Sequence, residues 1–220
     1  LGDVYKRQIN NIIVNCTFGL FMSGQDSYGD EDRGLGSCNN ITGNVIQYNE
    51  LGVYIFDKGN STLSNNKVAD NVFGMYLDSE NNALRGNEMN NNLYNFVDIW
   101  DVYHSDLKLP PVNDIDTTNT INGKHIYYLL NQSDLNINPS TYPDMGYLVI
   151  RNCINVTIAN WTFSNNGVGL AIYEGANITI ENVTMRDNLF GISATHLVES
   201  RIRNSIFQNN LHGLSVVDCE

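Results

Sequence analysis

The chain has 220 residues, and its 24 Asp and Glu against 12 Lys and Arg leave a formal net charge of −12. Binding nucleic-acid phosphates needs clustered Lys and Arg, so the balance argues against that partner. An acidic surface also repels polyanionic sugars unless a divalent cation bridges the two. The apolar runs are too short for a membrane-spanning helix. The four cysteines (Cys16, Cys38, Cys153 and Cys219) have no C-x-x-C pair and no histidines at zinc-ligand spacing, which leaves buried thiols or one disulfide.

The opening LGDVYKRQ resembles translated adapter sequence, so residues 1–8 are expected to lie outside the fold and the rest to be a piece of a longer protein. Residues 9–22, INNIIVNCTFGLFM, carry a damaged copy of a pattern that returns downstream. In it Ile13, Asn15 and Phe18 repeat the spacing of Ile158, Asn160 and Phe163, with the glycine register lost. Residues 23–37, SGQDSYGDEDRGLGS, form a loop by composition. Asp26, Asp30, Glu31 and Asp32 offer the oxygen ligands that Ca²⁺ needs, although their spacing misses the D-x-D-x-D-G of an EF-hand. A solvated acidic insertion is the competing reading.

From Asn39 the pattern is explicit. NNITGNVIQYNELGVYI aligns on Gly52, STLSNNKVADNVFGMYL on Gly74, and NALRGNEMNNNLYNFVD puts Asn95 in the same column. All four prolines fall within residues 99–146, which read as an insertion in one coil. GYLVIRNC then re-enters the rhythm, with Gly146 standing 23 residues before Gly169. The remainder repeats with a 22-residue period on Gly169, Gly191 and Gly213.

Eleven residues before the glycine column stand Ile41, Leu63, Leu84, Ile158, Ile180 and Ile202, and six before it Ile46, Val68, Met89, Phe163, Met185 and Phe207. Three before it stand Asn49, Asn71, Asn92, Asn166, Asn188 and Asn210. A fixed period of this length is the signature of a solenoid. The leucine-rich framework is absent, no coil holds a helix-favouring run, and the apolar residues alternate with period two. Each coil therefore reads as three short strands with corners of Asn, Gly and Asp, which tolerate left-handed backbone angles. Stacked about 4.8 Å apart, roughly seven such coils form a parallel β-helix. The asparagine column is expected to be a buried ladder of side-chain amides at one corner.

Two features are left for function. Asp57, Asp78, Asp98, Glu174 and Asp218 fall three to five residues after the glycine column and are expected to line one lip of the stack. With Asp101, Asp106, Asp114 and Asp116 of the insertion nearby, such a row could hold a cation or sugar hydroxyls, while Tyr54, Tyr76 and Tyr103 could stack on sugar rings. Asp is also an ordinary turn residue, which is the bland alternative. The sequons that begin at Asn15, Asn40, Asn60, Asn131, Asn155, Asn160, Asn177 and Asn182 permit a glycosylated surface protein without demonstrating one.

Over residues 39–98 and 147–217 the columns resemble the right-handed parallel β-helix repeats of the NosD-like, pectin-lyase-fold superfamily. That resemblance implies an all-β, right-handed, single-stranded parallel β-helix. The insertion is similar to a segment of large archaeal and bacterial surface proteins whose domain is described as carbohydrate-binding or sugar-hydrolysing. The implied setting is extracellular, cell-surface or periplasmic, with carbohydrate as partner, no nucleic acid and no membrane insertion. A copper role is not carried over, because His104, His125, His196 and His212 do not cluster in sequence.

Hydrolases of this fold present paired aspartates with Gly-His-Gly and Arg-x-Lys strings. The nearest string here, Leu211-His212-Gly213, is the repeat itself. Lyases of the fold hold Ca²⁺ beside an Arg or Lys base, and the basic candidates are Lys58, Lys67, Arg85, Arg151, Arg186, Arg201 and Arg203. The expected function is a non-catalytic binding or structural module with carbohydrate as ligand. The alternatives are a polysaccharide lyase or glycoside hydrolase whose site lies partly outside this chain, and a purely structural stalk.

Overall fold

The alternating stretches become short strands, and the Asn, Asp and Gly residues between them become corners. The structure, a computed structural model, describes residues 7–23, 39–56, 59–98 and 112–220. It divides into two units, Leu1–Asn122 and Gly123–Glu220. Each unit is an all-β parallel solenoid, and the chain holds about seven coils with roughly 22-residue spacing.

The first unit holds β1 (Arg7–Ile9), β2 (Ile12–Val14), β3 (Phe18–Ser23), β4 (Asn40–Thr42), β5 (Val45–Gln47), β6 (Leu51–Phe56) and β7 (Thr62–Ser64). It continues with β8 (Lys67–Ala69), β9 (Phe73–Asp78), β10 (Ala83–Arg85), β11 (Glu88–Asn90), β12 (Tyr94–Asp98), β13 (Asp114–Ile115) and β14 (Thr120–Ile121). Every third strand pairs in parallel, giving the orders β1-β4-β7-β10-β13, β2-β5-β8-β11-β14 and β3-β6-β9-β12. The register bears out the apolar columns: Ile41, Leu63 and Leu84 stand opposite one another, as do Ile46, Val68 and Met89. All six are fully buried, and each contributes roughly 1.5–3 kcal/mol.

Three expectations need correcting. Ile13 faces Ile46, and the pairs Phe18–Leu51 and Leu20–Val53 bring Gly19 opposite Gly52. The first coil thus keeps the glycine register, and its Ile13 belongs six residues before the glycine rather than eleven. One arm imitates the next because both run apolar residue, spacer, left-handed Asn or Asp, as in Ile158-Ala159-Asn160 and Phe163-Ser164-Asn165. The interruption after residue 98 also ends sooner than the sequence suggests, since Asp114 and Ile115 pair with Ala83 and Leu84, and Thr120 with Glu88. In addition, β1 takes Arg7 and Gln8 from the opening stretch and pairs them with Asn40 and Ile41.

The second unit holds β15 (Lys124–Leu130), β16 (Ser133–Ile137), β17 (Met145–Ala159), β18 (Thr162–Ser164) and β19 (Val168–Glu181). After these come β20 (Thr184–Arg186), β21 (Phe190–Val198), β22 (Arg201–Arg203), β23 (Ile206–Gln208) and β24 (His212–Val217). The main sheet runs β15-β17-β19-β21-β24, with β16 also on β17 and β22 also on β19, while β18-β20-β23 forms the other sheet. Here the three-strand pattern blurs, because β17 and β19 pass through two corners without losing their pairing. The extra residue before Gly169 is absorbed where His125 faces Met145 and Ile126 faces Tyr147, so that Gly146 is skipped. Phe163, Met185, Ile158, Ile180, Leu170 and Ile192 lie in a single core cluster.

The corners explain the asparagines. Asn15, Tyr48, Asp70, Asn91 and Asn122 all have φ between 49° and 58°, as do Asn152, Glu174, His196 and Asp218 within 48° to 54°. Asn and Asp enter this left-handed region at least cost after Gly. Tyr48 is the misfit, a bulky and exposed side chain in a column otherwise filled by Asn and Asp. Replacing it by Asn is expected to stabilise the protein by about 1 kcal/mol, read as a higher urea midpoint at unchanged slope.

The residue after each left-handed position often turns inward, and this makes the ladder. Asn49 Nδ2 donates to Asn71 Oδ1 at 3.0 Å, and Asn71 Nδ2 to Asn92 Oδ1 at 2.9 Å. In the second unit Asn166 N–H donates to Asn188 Oδ1 and Asn188 Nδ2 to Asn210 Oδ1, both at 3.0 Å. All six expected ladder residues are so joined. The first unit holds two further ladders. Asn11, Asn44, Asn66, Asn87 and Asn119 form one, and Ser61, Asn82 and Asn113 lie in the other. Asn95, standing in the glycine column, turns its Oδ1 back onto Asn92 Nδ2 at 3.0 Å and closes the expected ladder.

Candidate functional site

The outer face of β3-β6-β9-β12 is the aromatic surface of the first unit. Side chains alternate along each strand, so Val53 and Ile55 point into the core while Tyr54 and Phe56 point out. Pairing then stacks the outward residues: Phe21 faces Tyr54, which faces Tyr76. Phe73 likewise faces Tyr94. Ring centroids run 5.3 Å from Phe18 to Phe21, 5.5 Å from Phe21 to Tyr54 and 5.0 Å from Tyr54 to Tyr76. Phe73 lies 6.3 Å from Tyr76 and 5.2 Å from Tyr94. With Phe56 at 6.0 Å from Tyr54, seven rings therefore form one connected surface, and Phe18 and Phe21 remain 46% and 51% exposed. The sequence reading named Tyr54 and Tyr76 but missed the five rings beside them, Phe18, Phe21, Phe56, Phe73 and Tyr94. The available signal was position: Phe18, Phe73 and Tyr94 stand one residue before the glycine column, Phe21 two after it and Phe56 four after it.

The acidic lip does not form a single row. Asp78 stands opposite Phe56, whereas Asp98 stands opposite Leu77, in a core-facing column. Both carboxylates are buried, and Asn113 Nδ2 donates to Asp98 Oδ1 at 3.1 Å. Asp98 stands three residues after Asn95, as Leu77 does after Gly74, whereas Asp78 stands four after Gly74, and that one-residue difference puts Asp98 in the core-facing column. In the second unit Glu174 accepts from Arg151 Nε at 2.9 Å, and Asp218 lies 4.0 Å from His196 Nδ1. Each acid thus meets a local partner at a corner. Asp114 and Asp116 both pair with Arg85.

Asp57, Asp101, Asp106 and Tyr103 lie outside the described residues, as do the calcium candidates Asp26, Asp30, Glu31 and Asp32, and also Lys58, His104 and Cys38. Among the described residues no three His, Cys, Asp or Glu side chains gather as metal ligands. Cys16, Cys153 and Cys219 are unbonded thiols, and burial pushes the Cys153 thiol above its ordinary pKa, which keeps it protonated. His212 stacks on Phe190 at 4.8 Å, in the repeat column. All eight sequon asparagines are exposed, and seven have positive φ. The corner itself explains them: a left-handed Asn, then commonly an inward residue, then a Thr or Ser.

No curated protein and no solved structure matches the chain. Residues 3–108 match the family model of the right handed beta helix region. With the parallel register of the coils, that match makes the fold a right-handed parallel β-helix.

Proposed function

We propose that the protein is a secreted or cell-surface β-helix module that binds a neutral glycan on the aromatic face of β3-β6-β9-β12. The observation that carries this reading is the connected surface of Phe18, Phe21, Tyr54, Tyr76, Phe73 and Tyr94. Aromatic faces are electron-rich, and the C–H faces of pyranose rings complement them while hydroxyls at the rim stay hydrated. The rings carry no charge, and the net charge of −12 disfavours polyanionic chains. Parallel pairing repeats the rings about every 4.8 Å, giving an extended platform suited to a polymer rather than a single small molecule.

The test is retention on immobilised glucan, mannan and galactan, comparing wild type with Tyr54→Ala/Tyr76→Ala. Wild type should be retained on at least one of them. The double variant should bind roughly ten-fold or more weakly, at an unchanged melting temperature. Wild type passing through all three columns, or a double variant retained like wild type, would sink the reading.

A further inference from the structure

The second unit contains a polar cleft of about 500 Å³ between the turn after β16 and the outer surface of β17 and β19. Its polar lining comes from Asn136, Asn138, Ser140, Thr157, Asn160 and Glu181. Pairing fixes the floor, because Asn136 stands opposite Thr157, and Ala159 opposite Glu181. The wall is held just as firmly. Asn138 Oδ1 accepts from Ser140 N–H at 2.9 Å, Asn138 Nδ2 donates to Asn136 Oδ1 at 3.1 Å, and Thr141 Oγ1 donates to the Asn136 carbonyl at 2.5 Å. Behind it Tyr127 donates its hydroxyl to the Pro143 carbonyl at 3.0 Å and meets the Tyr142 ring edge-on at 5.3 Å. A polar cleft with a pinned wall loses little freedom when a ligand binds.

The groups lining this cleft are not consumed by the fold. Ser140 Oγ, Thr157 Oγ1 and the Asn160 side-chain amide make no hydrogen bond among the described residues, while the Asn160 backbone N–H donates to the Glu181 carbonyl at 3.3 Å. Arg203 meets Glu181 through Oε2, leaving Oε1 for another donor and neutralising the carboxylate. Two hydroxyls, an amide and a charge-balanced carboxylate offer both donors and acceptors at fixed spacing. That is the complement of vicinal sugar hydroxyls, each of which donates and accepts.

We propose that this cleft is a second glycan subsite, which takes a neutral hexose unit edge-on through its hydroxyls. It rests on the glycan-binding reading above for its class of ligand, but on different residues and a different kind of contact. The floor continues from Thr157 to Thr179 and Arg201, and from Glu181 to Arg203, so the polar surface extends along the stack beyond one sugar.

The experiment titrates gluco-, manno- and galacto-hexasaccharides into the full chain and follows the amide signals of Thr157, Asn160 and Glu181 by NMR. The variants are Thr157→Val/Asn160→Gly, in which glycine keeps the left-handed angle of Asn160, and Glu181→Gln as the conservative second change. Binding should perturb those signals in wild type and in Tyr54→Ala/Tyr76→Ala alike. It should weaken roughly ten-fold in the cleft variants, whose retention through the aromatic face persists. If the cleft variants bind as wild type does while the tyrosine variant loses everything, the cleft proposal fails and the aromatic reading stands. If no hexasaccharide moves the cleft signals in wild type, the cleft proposal is overturned whatever the tyrosines do.

Discussion

Asn66→Leu should lower stability by about 4 kcal/mol, more than any surface change in the molecule. Asn66 is fully buried, and its side chain serves three coils at once. Its Nδ2 donates to the Ile41 carbonyl at 2.9 Å and to Asn87 Oδ1 at 2.8 Å. Its Oδ1 accepts from the Asn44 backbone N–H at 3.0 Å and from Asn44 Nδ2 at 2.9 Å. Leucine has the same branched shape and leaves no cavity, but its methyls need more room than the 2.8–3.0 Å of the rungs, so crowding adds to the loss of polar partners. What remains is a buried N–H without an acceptor and a carbonyl without its donor, each worth roughly 1–3 kcal/mol. In a chain of this size the expected fall in melting temperature is roughly 10 °C. Asn66→Ser should cost less, because Ser61 already serves in a neighbouring ladder, where its hydroxyl accepts from Asn39 Nδ2 at 3.1 Å. A melt of Asn66→Leu within about 2 °C of wild type would show that water replaces the ladder at that corner.

The ladder also shows how far the sequence can be read. The column three before the glycine was visible because its asparagine recurs in both halves of the chain. The column eight before it, Asn44, Asn66 and Asn87, is as regular within the first unit, but in the clearest repeats that position is Trp161, Val183 and Ser205. An alignment anchored on those repeats therefore hides it. The structure keeps a trace of the substitution, since Ser205 Oγ still accepts from Val183 N–H at 3.4 Å. The dipeptide Asn-Asn gains its meaning only in three dimensions: the first residue makes the left-handed bend and faces water, and the second turns inward to bond.

The candidate site was less legible for a related reason. Core columns are written by a repeated residue type, whereas the outward face is written by position alone: Phe18, Phe73 and Tyr94 stand one residue before the glycine column, and Phe21, Tyr54 and Tyr76 two after it. The acids show how fine that count must be: Asp78 stands four residues after Gly74 and Asp98 three after Asn95, and this one residue sends the first opposite Phe56 and the second opposite Leu77. The aromatic face escaped full notice because Phe18, Phe21, Tyr54, Phe73, Tyr76 and Tyr94 never form a run in the chain. The cleft of the second unit could not be read from sequence at all, because it depends on how the turn at Asn138 is folded back by its own side chain.

The glycine column yields the last prediction, because its cause is distance rather than flexibility. A Cβ built on Gly52 would lie 2.6 Å from the Gly74 carbonyl oxygen, 2.9 Å from Val68 Cγ1 and 3.0 Å from Asn71 Nδ2. The first of these is backbone of the next coil and cannot swing aside, and the third is a rung of the ladder. Gly52→Ala should therefore push two coils apart and weaken the ladder together, at a cost of roughly 3 kcal/mol. Gly123→Ala provides the contrast. There φ is +76° but nothing lies within 4 Å of the added methyl, so only backbone strain of roughly 1–2 kcal/mol is expected. Gly169 repeats the crowded geometry in the second unit, with the Gly191 carbonyl at 2.6 Å. Urea unfolding should rank Gly52→Ala and Gly169→Ala together, well below Gly123→Ala. The opposite order would mean that these glycines are kept for their backbone freedom and not for the close approach of one coil to the next.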